Sequence, residues 1–596
     1  MISQTLWAKS EFRSTEYIVR NILLHGNERY TNRQIKRQLK LKAKSFWSST
    51  TFTRRLLELD RLNLETFYIK NGYLYCSVTD SFSVQSNNEV DVFFSIKEGP
   101  QFYLKTIQVQ GAKSIPKAKI IAMIDHKLNH PYNPIQVREG IKKIKREYAN
   151  LGKPLATIVD SLQVNHDINL FLIINENQTL FVDNIKVVNN NKVKEKPIRR
   201  EIIFKTGDPF SQEKLEISER HVYETGLFSS VRIRPVDIDT ARQHLNLLVD
   251  VRELDMRYLG LNFGLGQDRG LTPGSEPYTS FDISGEWLNR NISGVGRRLS
   301  LKLQTALNLT VDNLLRPRTA AEIYYVEPWL LGFRSSTTFR LFIENQELRE
   351  QSTTNYGGAI SLIYQPDRRS YLETGVEIKG IRFSTLVANQ SVNPLDQERA
   401  LTMTLRRDQR DDFIFPKKGT LLSANGKLVG TFLGGTQDYY KLEASFSHYF
   451  TFWKPVTIAY RAKIGWMDTF RAGEATPAYE KFYLGGSNSL RGWPERKFLT
   501  DAKGYPLGSD IKVLTSAEIR FPLFWLLGGE IFIDGGNLVA DFQELKAKQY
   551  RWNWGIGLTI ATPLGPIRID YAKKISPRGD EKENLNQVQF GIPYAF

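Results

Sequence analysis

From residue 258 to residue 596 the chain is a succession of short segments, about ten residues each, in which apolar and polar or small side chains alternate. Leu301, Leu303, Thr305, Leu307 and Leu309 form one such face against Ser300, Lys302, Gln304, Ala306 and Asn308. Val456, Ile458, Tyr460, Ala462, Ile464 and Trp466 likewise oppose Thr457, Arg461, Lys463 and Gly465. A period of two belongs to a strand whose two faces meet different surroundings. Arg461 and Lys463 would be costly in the dry middle of a sandwich, whereas a wet barrel lumen accepts them while the other face meets lipid. Sixteen segments begin near residues 258, 279, 297, 318, 335, 353, 370, 399, 419, 436, 456, 511, 528, 550, 566 and 586. An even number suits an antiparallel bacterial barrel, so residues 255–596 are expected to form an all-β transmembrane antiparallel barrel of about 16 strands.

Mean hydropathy is −0.36, and no run of about 18 apolar residues could cross a bilayer as a helix. A barrel is untouched by that exclusion, because each of its strands carries only half a hydrophobic signal. Cys76 is the single cysteine, which excludes an intrachain disulfide and a cysteine-rich metal site. The first ten residues lack the apolar core of a secretory signal, so the numbering is expected to start after a removed signal or at an engineered start.

The first 254 residues repeat with a period near 78. A β-branched segment ending in an acid recurs at 93–98, 172–176 and 247–253, and its glutamates Glu98, Glu176 and Glu253 lie 78 and then 77 apart. A tyrosine precedes a turn glycine in each unit: Tyr68 before Gly72, Tyr148 before Gly152 and Tyr223 before Gly226. Each unit opens with a short strand, a small or amide turn and a basic amphipathic segment, at 22–39, 107–124 and 185–203. The unit therefore reads as strand, two helices and two strands, βααββ, an α+β fold repeated over residues 1–99, 100–178 and 179–254.

Lys and Arg number 81 against 64 Asp and Glu, a net charge of +17 concentrated before residue 200. The basic clusters at 33–44, 113–119, 142–146 and 192–200 read as solvated helix faces, and no nucleic-acid partner is expected. Enzyme signatures are missing. The sequence holds no phosphate-cradling glycine-lysine loop and no G-x-S-x-G turn. His126 and His130 have the spacing of helical metal ligands, but Lys127 stands where a zinc hydrolase needs glutamate, and Lys119 and Lys127 repel a cation. No catalytic residue, no metal and no cofactor is expected.

The triplicated pattern resembles the polypeptide-transport-associated (POTRA) domain. Such a domain presents a small sheet with an exposed edge, to which an extended chain can add a strand through main-chain hydrogen bonds. The glycine-rich connection 479–510 contains Tyr483-Leu484-Gly485-Gly486-Ser487-Asn488-Ser489-Leu490-Arg491-Gly492-Trp493. Its core, Leu490, Arg491, Gly492 and Trp493, resembles the aliphatic-Arg-Gly-aromatic loop motif of the outer-membrane assembly-factor superfamily, the BamA and TamA type. Three repeats bring the resemblance closest to TamA-like proteins, with a shortened BamA-like parent as the other reading. The resemblance implies that the loop folds back into the barrel and that Arg491 pairs with acids on the two strands that follow. The matching positions are Glu518 and Asp534, both on the lumen face by alternation. The final segment, with Val588, Phe590, Ile592, Tyr594 and Phe596 on one face, resembles the C-terminal recognition signal of bacterial outer-membrane barrels, carried here by Phe590, Tyr594 and Phe596.

Closing the barrel would pair residues 258–268 with 586–596. Gly260, Gly264 and Gly266 thin the first of these strands, and Gly591 and Pro593 weaken the second, since proline donates no ladder hydrogen bond. A weak lateral seam that opens to an incoming strand follows, unless the glycines only make room for the loop. The function expected is assistance to the insertion of outer-membrane proteins, with the barrel in the bacterial outer membrane and the repeats in the periplasm. The partners expected are unfolded outer-membrane polypeptides, outer-membrane lipid, and either a TamB-like inner-membrane-anchored protein or assembly lipoproteins. A two-partner-secretion pore and a passive channel or receptor are the alternatives.

Overall fold

The computed structural model describes residues 17–44, 50–85, 88–269, 277–308, 318–330, 332–348, 351–385, 395–453, 455–471, 474–502, 504, 506–524, 526–562, 565–575 and 585–591. Leu309, Ile592, Pro593, Tyr594 and Phe596 lie outside the described residues.

Three βααββ units precede the barrel. The first is β1 (Ile18–His25), α1 (Asn32–Lys36), α2 (Arg54–Lys70), β2 (Ser77–Val84) and β3 (Glu89–Lys97). The second runs β4 (Leu104–Gln110), α3 (Lys117–Ile124), α4 (Pro134–Asn150), β5 (Thr157–Val164) and β6 (Ile168–Asn175). The third runs β7 (Phe181–Val188), α5 (Glu195–Arg199), α6 (Gln212–Glu224), β8 (Phe228–Asp239) and β9 (His244–Glu253). In each sheet the last strand of the unit lies centrally, between its first and second strands, in the orders β1-β3-β2, β4-β6-β5 and β7-β9-β8. The first strand pairs parallel to the central one, as βααββ connectivity requires when two helices cross over between them.

The helices start where the local chemistry lets them. Thr31 and Gln34 form a capping box on α1, Thr53 accepts the Leu56 N–H at the head of α2, and Asn133 accepts from Ile135 and Gln136 ahead of Pro134 on α4. One face of α2 then buries Leu57, Leu64 and Tyr68 against Val90, Val92, Phe94 and Ile96, the inward residues of β3. In the second unit Ile141, Ile144 and Tyr148 meet Ile168, Leu170, Leu172 and Ile174 of β6 in the same way. Burying each such aliphatic side chain contributes about 1.5–3 kcal/mol.

The recurrent acids close the loop that follows each first strand. Glu98 accepts from Tyr68 Oη at 2.9 Å and from the Arg29 N–H at 3.2 Å. Glu176 accepts from the Lys113 and Ser114 N–H groups at 2.6 and 2.7 Å, from Ser114 Oγ at 2.6 Å and from Lys153 Nζ at 2.5 Å. Glu253 takes the Lys192 and Val193 N–H groups, each at 2.8 Å. The tyrosine landmark holds twice. Tyr68 and Tyr148 are fully buried, but Tyr223 is 53% exposed, and Val222 fills the buried position four residues before Gly226. His126 and His130 follow the end of α3 in a turn, where the His126 ring accepts the Asn133 N–H, and they do not share a helix face.

The rest of the described chain is one 16-stranded antiparallel sheet whose strands neighbour one another in chain order. Its strands are β10 (Arg257–Arg269), β11 (Pro277–Ile292), β12 (Arg297–Asn308), β13 (Arg318–Glu327), β14 (Ser336–Leu348), β15 (Gln351–Asp367), β16 (Ser370–Thr385) and β17 (Leu395–Asp408). The remainder are β18 (Gly419–Val429), β19 (Tyr439–Trp453), β20 (Val456–Thr469), β21 (Ile511–Pro522), β22 (Leu527–Val539), β23 (Arg551–Thr562), β24 (Gly565–Ile575) and β25 (Asn586–Gly591). Apolar side chains stand exposed along one face, among them Ile531, Ile533, Trp554, Ile556, Leu558, Ile569, Val588 and Phe590, while charged residues line the other. That inversion of the usual rule is what a barrel in hydrocarbon requires. No helix among the described residues is long and apolar enough to cross a membrane.

Candidate functional site

The connection between β20 and β21 turns into the barrel. Leu490 and Trp493 bury themselves among Leu484, Phe498, Leu514 and Leu538, with the Trp493 ring edge-on to Phe498 at 5.3 Å. A tight turn sets up the motif: Gly486 N–H donates to Trp493 O at 2.9 Å, and Trp493 N–H to Leu490 O at 3.1 Å. Gly486 has a φ of +99°, which favours glycine. Gly492 is a matter of room, since a Cβ there would stand 2.7 Å from Asn553 Cβ.

Between Leu490 and Gly492, Arg491 projects into a ring of carboxylates with no solvent exposure. Its Nε and Nη2 donate to the two Asp534 oxygens at 2.9 and 2.8 Å, a bidentate fork, and its backbone N–H adds a third contact at 3.3 Å. Nη1 reaches Glu518 at 2.9 Å and Glu530 at 3.0 Å, with Asp570 at 3.7 Å. The guanidinium lies 3.3 Å from the centre of the Phe532 ring, a stacked cation on an aromatic face.

Strand periodicity brings these groups together. Glu530, Phe532 and Asp534 are alternate residues of β22, and the β21 register sets Arg520 opposite Glu530 and Ser516 opposite Asp534. Between β22 and β24, strand β23 carries Gly555 and Gly557 opposite Phe532 and Glu530. A Cβ at Gly555 would fall 2.3 Å from Phe532 Cζ, and one at Gly557 2.4 Å from Asp570 Oδ1. Those two glycines clear the lane through which Asp570 on β24 meets the acids of β22.

Four buried carboxylates need more than one cation. Arg520 donates to Glu518 at 2.9 and 2.6 Å, and Arg568 Nε donates to Asp570 at 2.6 Å. Arg461 of β20 donates to Ser516 Oγ at 3.3 Å beside them. Four guanidinium groups thus face four carboxylates. The arrangement can hold and orient a loop.

The loop also touches the last strands. Arg568 Nη2 donates to Ser487 O at 2.6 Å, and Gln589 Nε2 of β25 donates to Trp493 O at 2.9 Å. Gly591, opposite Arg568 in the β24–β25 ladder, has Arg568 Nη2 3.0 Å and Ser487 Cβ 3.4 Å from the place of a Cβ, so it makes room for this contact. Gly260, Gly264 and Gly266 pair with Glu286, Asp282 and Ser280 of β11. Among the described residues no ladder joins β25 to β10. Phe590 faces outward, 62% exposed.

Residues 291–596 match the Omp85 superfamily domain, and residues 17–99, 102–177 and 181–254 each match the POTRA family, the surface antigen variable number repeat. The chain belongs to the Omp85 superfamily. The outer membrane protein assembly factor BamA of Neisseria meningitidis is 20% identical over 656 residues, covering 97% of this chain and 78% of that protein. BamA of Nitratidesulfovibrio vulgaris is 21% identical over 614 residues, covering 97% and 73%. The crystal structure of BamA from Haemophilus ducreyi lacking POTRA domains 1–3 matches with a TM-score of 0.62 at 17% identity, over 82% of this chain and 98% of that one, a likeness of fold. This Omp85 chain is an outer-membrane barrel with periplasmic POTRA repeats.

Proposed function

We propose that this chain assists the insertion of β-barrel proteins into the outer membrane, with residues 1–99, 100–178 and 179–254 as client- or partner-binding repeats and 255–596 as the inserting barrel. Assembly of outer-membrane proteins is the activity that the relatives' names carry. The observation that supports this reading most directly is the inward loop: Arg491 ties it to β21, β22 and β24, and Gln589 ties it to β25, the strand at the end of the sheet. A loop in contact with the terminal strand can hold that strand in register while the neighbouring edge pairs with a client. A barrel that served only as a passive channel would gain nothing from this tie.

Insertion runs through the seam between β10 and β25. A client strand that pairs there enters hydrocarbon with its backbone groups already satisfied, which removes several kcal/mol of penalty for each group. Gly260, Gly264 and Gly266 on one side and Gly591 on the other support a weak pairing there, and Pro593, outside the described residues, has no N–H to donate to it. The repeats contribute the edge strands β2, β5 and β8, which add an extended client or partner by main-chain pairing. The partners that fit are unfolded outer-membrane polypeptides and outer-membrane lipid, together with assembly lipoproteins or a TamB-like inner-membrane-anchored protein. The chain acts without covalent chemistry.

A disulfide between β10 and β25, in a Cys76→Ser background, tests the seam. Oxidation should stop client insertion and reduction should restore it. Insertion at the parent rate with the disulfide closed rules out lateral opening.

A further inference from the structure

Arg491 is not the only charged hold on the loop. At the loop's outer end a short turn, Ala478–Glu480, carries Glu480 against a different stretch of wall. Lys427 of β18 donates to Glu480 Oε1 at 2.8 Å, and Lys441 of β19 donates to Oε2 at 3.0 Å. Lys379 of β16 lies 3.6 Å from the same carboxylate. Glu398 of β17 completes the group, pairing with Lys379 at 2.9 Å and Lys427 at 2.8 Å and accepting from Tyr439 and Tyr479, each at 3.0 Å. Glu398 is 1% exposed and the lysines are at most a quarter exposed, so these charges are little screened by water.

We infer that Glu480 is a second anchor of the inward loop, a positioning residue that fixes the loop to β16–β19 as Arg491 fixes it to β21–β24. Lys379, Lys427 and Lys441 converge on Glu398 and Glu480 here, and Glu480 is the one the loop supplies. Without it, Lys379 and Lys427 share Glu398, Lys441 loses its carboxylate on the loop, and the loop's holds on that wall fall to the Glu480 carbonyl, the Tyr479 hydroxyl and the Phe482 ring. The two anchors also differ in height. Glu398, Lys427 and Lys441 lie within a few residues of the strand ends nearest the connection from β20, whereas Asp534 and Asp570 lie mid-strand and Glu530 lies toward the opposite end of β22. A loop held at one point can swing about it. Held at two levels, it is a strut, and it leaves the lumen only when one anchor breaks.

This inference stands whatever client the barrel serves, and the test needs no client. The purified full chain is placed in planar bilayers, and the fraction of time in open, high-conductance states is recorded for the parent, Glu480→Gln, Glu480→Asp and Lys441→Met. Glu480→Gln should raise the open fraction about tenfold, with Lys441→Met shifting it in the same direction by less. Glu480→Asp, which keeps the charge, should return it most of the way. Heat-modifiable gel migration should stay that of a folded barrel throughout, since Glu480 lies outside the ladder and Lys441→Met changes a side chain of β19 and leaves its main-chain pairing with β18 and β20 in place. If Glu480→Gln does not fold, Lys441→Met carries the test alone. Parent-like open fractions in the folded variants, or an equal rise in Glu480→Asp, overturn the inference.

Discussion

Replacing Arg491 by methionine keeps most of the side chain's length and removes its charge, so the loss can be read from the contacts. The substitution deletes a bidentate pair with Asp534 at 2.9 and 2.8 Å and contacts with Glu518 and Glu530 at 2.9 and 3.0 Å. It leaves four buried carboxylates to Arg520, Arg568 and Arg461. Removing one partner of a buried ion pair costs about 3–5 kcal/mol, far more than the pair itself is worth against an apolar replacement. With a urea slope of about 2–3 kcal/mol/M, the unfolding midpoint of the barrel should fall by about 1–2.5 M. Arg491→Lys keeps the charge, but one ammonium cannot form the fork to Asp534 and reach Glu530 as well, so about half the loss should remain. The double variant Arg491→Met with Asp534→Asn should be more stable than the summed single effects predict by about 2 kcal/mol, because both halves of the fork go together. Urea titration of the folded barrel, followed by tryptophan fluorescence and gel migration, measures all four. A midpoint for Arg491→Met within about 0.3 M of the parent, or strict additivity in the cycle, refutes the reasoning.

Glu176 should give the second repeat an acid-sensitive stability. Burial opposes its ionisation, yet Lys153, Ser114 and the backbone N–H groups hold its carboxyl well below the usual range. A depressed folded-state value means the contribution is complete above about pH 4.5 and fades as pH falls through that lower value, so amide exchange in β4–β6 should quicken there and Glu176→Gln should remove the trend. Gly492→Ala should push the loop off Asn553 at a cost of about 1–3 kcal/mol, read as faster tryptic cleavage after Arg496 and Lys497. Leu170→Ala, at a fully buried position of β6, should cost the second repeat about 2–5 kcal/mol, measured by the protection of the same amides.

Much of this architecture was legible in the sequence for a physical reason. A strand between water and lipid must alternate, and all sixteen strands start within a few residues of the alternating segments. The repeats showed themselves because each acid, Glu98, Glu176 and Glu253, performs the same task of closing the loop after the first strand. Tyr223 misled because the landmark is a buried side chain four residues before the glycine, and Val222 can fill that place. Near Arg491, the acids Glu518 and Asp534 followed from the motif's resemblance, and their distances agree with the pairing it implies. Glu530, Asp570, Arg520 and Arg568 did not follow. Their meeting depends on the register of four strands and on Gly555 and Gly557 leaving space between them, neither of which a linear pattern contains. Glu530 had one visible signal, its place four residues before Asp534 on the same strand face. Glu480 and its lysines were hidden for the same reason, since their partners lie 39 to 101 residues apart in the chain.

The proposed activity of this barrel is to help other barrels fold into a membrane. The most direct measurement places the purified chain in liposomes and follows the folding of an urea-unfolded outer-membrane barrel, against protein-free liposomes and against Arg491→Ala. Folding should be faster with the parent chain, and most of that acceleration should be lost in the variant. No acceleration, together with steady solute flux through the liposomes, would contradict it and identify the barrel as a secretion pore or channel.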